Sequence, residues 1–236
     1  MKTIICILLL CASSGIQSKR NYRAIKLLSQ LNDARAMVAA GVLRPIQSVL
    51  KMAGLENEIL KIPPMGPVPN MYKLRWSREL ESEARAQLKS VKWLYGSIKT
   101  DKYRGFYYKY TIGAAVRNYM RKQNRLNDFS IFESKLVTLG SVSEVITFII
   151  WLGLKYPKSL PADDLIVVEA FVPERFEIGC AFNDYTVCML RDTFNGTSNG
   201  QLFEEGVACT ECPTWCEFSE NDDGSVEEED LCVPPR

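Results

Sequence analysis

Residues Gly206–Cys232 read GVACTECPTWCEFSENDDGSVEEEDLC, a strongly acidic stretch that contains four cysteines. No histidine accompanies them, and the sequence of 236 residues contains none at all. Closely spaced cysteines bind metal ions in many cytosolic proteins, whereas in exported proteins they form disulfides. The compartment in which the protein resides therefore decides which chemistry these residues have.

The N-terminus has the layout of a cleavable secretory signal over residues 1–18. Lys2 provides a positive start, Thr3–Ala12 is a short apolar run, and small or polar residues follow as far as Ser18. A membrane anchor needs about 18 apolar residues or more, so we predict a secreted, extracellular protein with no membrane span. Removal of Cys6 and Cys11 with the signal leaves an even number of cysteines, which in an oxidising compartment predicts disulfides. They are Cys180, Cys188, Cys209, Cys212, Cys216 and Cys232.

Hydrophobic periodicity predicts helices that flank a small antiparallel sheet. An amphipathic helix is expected over Asn21–Gly41, with Gly41 as its stop, and Ser77 is expected to cap a second helix. The buried residues of that second helix should be Leu80, Ala84 and Leu88. Trp93–Tyr110 is rich in aromatic and basic residues and shows no clean period. Further helices are predicted at Thr111–Lys122 and Ser143–Leu154, and strands at Leu165–Val172, Phe176–Phe182 and Tyr185–Leu190. This order predicts an α+β or three-layer domain.

Several sequence blocks occur in the order found in one family of secreted proteins. Glu177–Cys180 (EIGC), Val187–Cys188 and Asn199–Pro213 (NGQLFEEGVACTECP) resemble the end of a CAP domain. This is the domain of cysteine-rich secretory proteins, venom allergens and plant pathogenesis-related proteins. Leu31–Gly41 (LNDARAMVAAG) is similar to the first helix of the family, and Asn70–Trp76 contains its Asn-Met-x-x-Leu-x-Trp motif. The resemblance is strongest to the secreted single-domain members of nematodes.

The resemblance implies a three-layer α-β-α sandwich followed by a small cysteine-rich extension. Residues 19–203 would form the CAP domain, and residues 204–236 would form an acidic tail held by disulfides. The resemblance also implies the disulfide pairing, although the residues alone allow 15 connectivities, the number possible for six cysteines. The implied pairs are Cys180–Cys188, Cys209–Cys216 and Cys212–Cys232.

The chain departs from the family in the central cleft, where CAP domains hold two histidines and two glutamates that can bind a divalent metal. Leu31 replaces the first histidine, and Lys122 replaces the glutamate of the family's Trp-Tyr-x-Glu segment. The Gly-Glu-Asn segment has no counterpart. The second histidine corresponds to Val145 in one alignment and to Ile166 in another, and both alignments remain open. We therefore expect a divergent member without a metal or other cofactor.

The absence of histidine argues against catalysis, because imidazole is the usual base near neutral pH and serine and cysteine triads require it. We expect a protein that is not an enzyme and that acts by binding an extracellular protein, glycan or lipid. The alternative is a carrier of a small molecule such as a sterol or fatty acid. A vestigial metal-dependent hydrolase is a weaker alternative, and export excludes nucleic acid as a partner.

Charge is unevenly distributed although the net charge is only +1. The stretch from Lys89 to Arg125 contains ten basic residues and a single acidic one, Asp101. In Glu204–Asp230, by contrast, every charged residue is acidic. The basic stretch is either a solvated rim around core aromatics or a surface for an anionic partner such as a sulfated glycan, a lipid headgroup or an acidic protein. The acidic tail could also cover it. The candidate residues are Lys89, Lys92, Lys99, Lys102, Arg104, Lys109, Arg117, Arg121, Lys122 and Arg125.

Asn195 begins the sequence Asn-Gly-Thr, the acceptor motif for N-linked glycosylation. In a secreted chain this motif predicts an exposed loop that carries a glycan.

Overall fold

The computed structural model describes residues 22–42, 66–109, 166–192, 205–220 and 226–235, together with residues 44, 45, 48 and 52. Helix α1 comprises residues 22–39. It is followed by a turn at Gly41, whose φ of 71° lies in the left-handed region that glycine adopts without steric cost. The prediction of a first helix with Gly41 as its stop is confirmed.

The other described elements combine one further α-helix, a short 3₁₀ helix and seven strands. They are β1 (Arg75–Trp76), α2 (Arg78–Gln87), β2 (Tyr95–Lys99), β3 (Tyr103–Lys109), the 3₁₀ helix (Ile166–Phe171), β4 (Glu177–Phe182), β5 (Tyr185–Arg191), β6 (Cys216–Glu220) and β7 (Val226–Cys232). Within the described residues, five strands form one sheet in the order β1-β4-β5-β3-β2, and β6 pairs with β7. Strand β1 is parallel to β4, and the other neighbours are antiparallel. The predicted mixture of helices and sheet is confirmed.

The strand predicted at Leu165–Val172 is wrong, because Ile166–Phe171 forms the 3₁₀ helix. A strand would direct its carbonyl groups to a neighbouring strand. Here the carbonyl oxygens of Ala170 and Val172 instead accept hydrogen bonds from the side chain of Arg35. A short apolar run is compatible with a strand and with a helix. The contact with the side chain of Arg35 therefore favours the 3₁₀ helix.

The β2–β3 hairpin lies in the segment for which the sequence predicted no regular element. Gly105, Phe106 and Tyr107 are buried in succession in β3. Consecutive burial means that both faces of the strand are covered, so the alternation that marks a half-exposed strand is absent.

Helix α2 packs on one face of the sheet, as its sequence pattern predicts. The Oγ atom of its N-cap, Ser77, accepts a hydrogen bond from the main-chain nitrogen of Leu80 at 3.4 Å. A Cβ atom at Gly179 in β4 would collide with the main-chain nitrogen of Glu81, so glycine permits the close approach of helix and strand. The core between them consists of Leu80, Ala84, Tyr107, Ala181, Val187 and Met189, with Leu88 packed at its edge.

The C-terminal segment is hydrogen-bonded to the chain that leads into β1. The main-chain nitrogen of Cys232 donates to the carbonyl of Met71 at 2.8 Å, and the nitrogen of Lys73 donates to the carbonyl of Cys232 at 2.9 Å. The nitrogen of Gly206 donates to the carbonyl of Pro67 at 2.9 Å. Three disulfides join Cys180 to Cys188, Cys209 to Cys216, and Cys212 to Cys232, the pairing that the family resemblance implies.

Candidate functional site

Arg35 on α1 is fully buried and is bonded to main-chain carbonyl groups. A guanidinium carries five N–H donors, and every one of them has a carbonyl acceptor within hydrogen-bonding distance. Nε donates to Tyr72 at 2.8 Å, Nη1 to Ala170 at 2.6 Å and Val172 at 3.1 Å, and Nη2 to Pro173 at 3.1 Å and Arg175 at 3.0 Å. Arg35 therefore joins α1 to the chain before β1, to the 3₁₀ helix and to the segment between that helix and β4.

The electrostatic environment of Arg35 also identifies it as a structural residue. Burial lowers the pKa of the guanidinium to about 9, an effect that the carboxylate of Glu174 opposes and the charge of Arg175 reinforces. Arg35 thus remains protonated at neutral pH. Since all its donors are used, it has none left to contact a ligand.

Asn32 and Leu31 precede Arg35 in the helix motif and are also buried. The Nδ2 atom of Asn32 donates to the carbonyl of Leu74 at 3.0 Å, and the nitrogen of Leu74 donates to Oδ1 of Asn32 at 2.8 Å. Leu31, which the sequence resemblance aligned with a histidine, is only 6% exposed. An aliphatic side chain cannot ligate a metal ion, so this position contributes to the core.

A second buried polar cluster lies around Arg175. Its Nη2 atom donates to Glu169 at 2.8 Å and its Nη1 atom to Asp192 at 3.3 Å, and Asp192 also accepts from Nε of Arg104 at 2.9 Å. Burial raises the pKa of Glu169, while the positive charge of Arg175 opposes that rise. Arg104 was predicted to belong to an anion-binding surface, but its side chain is only 12% exposed and is paired with Asp192. It is therefore a structural ion-pair partner and not a surface group.

A chain of alternating charges crosses the surface of the sheet from Arg75 to Tyr103. Glu177 accepts hydrogen bonds from Arg75 at 2.9 Å and from Arg191 at 2.8 Å. Glu79 accepts from Arg191 at 2.9 Å and from the hydroxyl of Tyr103 at 2.6 Å. Burial acts to raise the pKa of Glu177, but the hydrogen bonds from Arg191 and Arg75 prevail and lower it. The hydrogen bond from Tyr103, together with Arg191, lowers the pKa of Glu79.

Four of the predicted surface lysines are exposed, and the structure divides them into two pairs. Lys89 and Lys92 lie before β2, whereas Lys99 ends that strand and Lys102 lies in the turn after it. Lys89 and Lys92 adjoin Trp93 and Leu94, which are 73% and 38% exposed. We call residues 89–94 the Lys-Trp patch.

Lys109 occupies a different place from the four exposed lysines. Its Nζ atom lies 5.4 Å from the ring centroid of Tyr185, a cation–π contact that holds it against β5.

Several other residues of interest lie outside the described part of the chain. They are Arg117, Arg121, Lys122, Arg125, Val145 and the predicted glycosylation site Asn195.

Two cavities border α1, and the sequence analysis predicted neither of them. One, of about 320 Å³, lies between α1 and α2; it is lined by Ala24, Ile25, Leu28, Trp76, Arg78, Glu81, Arg85, Leu88, Cys180, Ala181 and Phe182. The other, of about 640 Å³, lies where β3 ends and β4 turns into β5. We call the second cavity the basic cleft, because its lining includes Arg23, Lys26 and Lys109. Among the described residues no three side chains of types that ligate metals come together.

The sequence did contain a signal for the basic cleft. Arg23, Lys26 and Gln30 recur at a spacing that places them on one face of a helix, and all three are exposed. The partners of this face come from β3 and β5, which are distant in the sequence, so the sequence could not show that a cavity forms there.

Comparisons with known proteins identify similar structures but no similar sequences. No protein-family model matches the chain, and no curated protein matches it. The crystal structure of Na-ASP-1 is 18% identical, with a TM-score of 0.43, and the match covers 89% of this chain but only 45% of Na-ASP-1. A crystal structure of NaASP2 with Zn²⁺ is 12% identical, with a TM-score of 0.46, and covers 88% of this chain and 93% of NaASP2.

The crystal structure of hookworm platelet inhibitor is 11% identical, with a TM-score of 0.41, and covers 88% of this chain and 90% of the inhibitor. All three neighbours are CAP-superfamily proteins. Among the described helices, none combines the length and the apolarity that a membrane span requires.

Proposed function

We propose that this chain is a divergent CAP-domain protein that is secreted and acts by binding an anionic extracellular partner, without catalysis. The matched sequence blocks support the domain, and within them Asn32 and Arg35 make the contacts that hold α1 to the rest of the fold. Three disulfides fit an oxidising compartment. The three-layer α-β-α sandwich and the tail over residues 204–236 are part of this proposal.

The Lys-Trp patch is the observation that carries the binding role. Lys89 and Lys92 are exposed and have no ion pair within the described part of the structure. The neighbouring Trp93 exposes 73% of its surface. Exposed aromatic surface beside unpaired cations is typical of an interaction site, because the cations attract an anionic partner and the ring supplies apolar contact area.

Chromatography on an immobilised sulfated polysaccharide tests this proposal. The mature protein should be retained at low salt and released as salt rises, since exposed charges are screened over about 8 Å at physiological ionic strength. Reversal of both charges by Lys89→Glu and Lys92→Glu should lower the salt concentration needed for elution. The matched control, Lys99→Glu with Lys102→Glu, reverses the same number of charges at the other end of β2.

The two double variants separate local recognition from net charge. The proposal predicts a larger loss of retention for the Lys89/Lys92 variant than for the control. Equal shifts would show that retention follows net charge alone, and an absence of retention for the wild-type protein would remove the support for an anionic glycan partner. Circular dichroism of each variant verifies that folding is unchanged.

A carrier function is the second candidate, and the cavity between α1 and α2 favours it. Its volume of about 320 Å³ falls in the range of about 300–1,000 Å³ that is typical of small-molecule sites. Ile25, Leu28 and Phe182 supply apolar walls, and Arg78 could meet a carboxylate. Arg85 is already paired with Glu81 at 2.6 Å. This composition suits a fatty acid better than an uncharged sterol.

Displacement of a fluorescent fatty acid by unlabelled fatty acid tests the carrier function. Leu28→Trp should fill the cavity and abolish binding, whereas Leu27→Trp on the adjacent face of α1 should not. Saturable binding that is lost only in the Leu28 variant would favour the carrier over the anionic-partner proposal.

The hydrolase alternative receives the least support. We propose that the protein holds no stoichiometric divalent metal, because Leu31 is buried and apolar where a histidine ligand would stand. Elemental analysis of the dialysed protein should find far less than one zinc per chain. A value near one would contradict this part of the proposal.

A further inference from the structure

The basic cleft combines cations, polar groups and aromatic rings on one concave surface. Arg23, Lys26 and Gln30 project from successive turns of α1, and Lys109 lies on the opposite wall. The floor contains Tyr108, Phe182 and Tyr185, and the polar groups of Asn183 and Thr186 complete the lining. The volume of about 640 Å³ lies within the range of small-molecule sites.

The charges in the basic cleft are strongly biased toward positive. Three basic residues face a single acid, Asp184, in the turn between β4 and β5. Arg23 and Lys26 have no ion pair in the part of the chain that the structure describes. Most described arginines outside α1 are paired with carboxylates, whereas Arg23 and Lys26, like Lys89 and Lys92, remain available for an external anion.

The shape and lining define the ligand further. An inorganic anion would occupy a small part of the cleft, and the hydrocarbon chain of a fatty acid would offer no hydrogen-bonding group to Gln30 and Thr186, which line the cleft. A sulfated saccharide presents sulfate groups for the cations, hydroxyl groups for the polar residues and C–H faces for the aromatic floor. We propose that the basic cleft is a binding site for a short sulfated saccharide.

This site is separate from the Lys-Trp patch and can be tested separately from it. The mature protein is titrated calorimetrically with a sulfated tetrasaccharide, and the same tetrasaccharide without sulfate serves as the ligand control. Arg23→Gln with Lys26→Gln should weaken binding about tenfold or more, since each lost charge-assisted hydrogen bond is a strong one. Lys99→Gln with Lys102→Gln removes the same charge outside both the basic cleft and the Lys-Trp patch, and it should change the affinity by less than about twofold.

A gain of affinity provides a test that misfolding cannot mimic. Asp184→Asn removes the one carboxylate of the lining and should tighten binding about threefold, because it removes repulsion of the sulfate groups. Its measured affinity is compared with that of Asp33→Asn, a neutralisation of an exposed carboxylate on α1 that is not part of the cleft lining. Equal changes in tetrasaccharide affinity for the two variants would contradict the proposed binding site.

The remaining outcomes are equally decisive. Retention on the polysaccharide without tetrasaccharide binding would overturn the cleft inference and leave the proposed function standing. Equal binding of the desulfated saccharide would contradict the role of the cations. Binding to anionic phospholipid vesicles through Arg23 and Lys26, with no binding of the saccharide, would assign the cleft to a lipid headgroup and overturn the inference.

Discussion

The two ends of helix α1 use the same residue type for opposite purposes. Near the C-terminal end, Arg35 is fully buried and donates to five main-chain carbonyl groups. Near the N-terminal end, Arg23 is exposed and lines an open cavity. The first arginine holds distant segments together, and the second remains available for a ligand. An arginine in a helix therefore reveals its role only through what surrounds it.

Replacement of Arg35 should have the largest effect on stability. Arg35→Met keeps much of the volume but removes the guanidinium donor from five buried carbonyl oxygens, of which those of Val172 and Pro173 keep a main-chain donor. We expect a loss of about 4 kcal/mol. Denaturant unfolding followed by circular dichroism measures this loss. Arg23→Met is the matched control on the same helix and should change stability by less than about 0.5 kcal/mol. Similar losses of unfolding free energy for the two substitutions would show that the two arginines do not differ in their structural roles.

Loss of the disulfide between Cys212 and Cys232 should have the next largest effect. The main chain of Cys232 is hydrogen-bonded to Met71 and Lys73, the residues on either side of Tyr72. The carbonyl of Tyr72 accepts a hydrogen bond from Arg35, so the disulfide stabilises the segment to which Arg35 binds. Replacing both cysteines with serine should cost about 3 kcal/mol in unfolding free energy. Tetrasaccharide affinity should be unchanged in the folded variant, since the basic cleft lies elsewhere. A large loss of affinity at unchanged circular dichroism would show that the two regions are coupled.

Asn32→Ala should cost about 2 kcal/mol, because both hydrogen bonds to the main chain of Leu74 would be lost. Asp33, the next residue, is exposed. Asp33→Ala should therefore be nearly neutral when both variants are compared by denaturant unfolding. A substantial loss of stability in the Asp33 variant would show that position on the helix, rather than burial, determines the cost.

The smallest expected effect concerns the surface ion pairs and depends on pH. The pKa of Glu177 is lowered in the folded protein, so its stabilising contribution is present above the unfolded pKa of about 4.3 and is lost as pH falls through the folded value. Glu177→Gln should cost about 1 kcal/mol at pH 7. The difference in unfolding free energy between the wild type and this variant should shrink as the pH falls from 7 toward 3. A constant difference over that range would contradict the assignment.

The sequence predicted those elements whose signals are local. Helix α1 has apolar residues at helical spacing and a glycine stop, and Ser77 caps α2 as its position indicated. Strands β4 and β5 were predicted to within about one residue. The β2–β3 hairpin was missed because burial on both faces removes alternation, and the 3₁₀ helix was mistaken for a strand because its fold depends on Arg35.

The candidate sites were less predictable, because each depends on contacts between distant segments. The family resemblance matched Leu31–Gly41, the segment that contains Asn32 and Arg35, but it did not reveal that main-chain carbonyl groups satisfy all the donors of Arg35. Charge counting selected Lys89 and Lys92, and it also selected Arg104, which the structure pairs with Asp192. The basic cleft could not be found from sequence, since residues of α1 meet the ends of β3 and β5 only in the folded chain.

The most direct test of the different roles of the two ends of α1 is nuclear magnetic resonance. The mature protein is titrated with the sulfated tetrasaccharide, and the signals of both ends of the helix are followed. The account predicts shifts of the amide signals of Lys26, Gln30 and Tyr185, while the Nε–H signal of Arg35 stays in place and remains protected from solvent exchange. Shifts confined to the Lys-Trp patch, or rapid solvent exchange of the Arg35 Nε–H, would contradict the account.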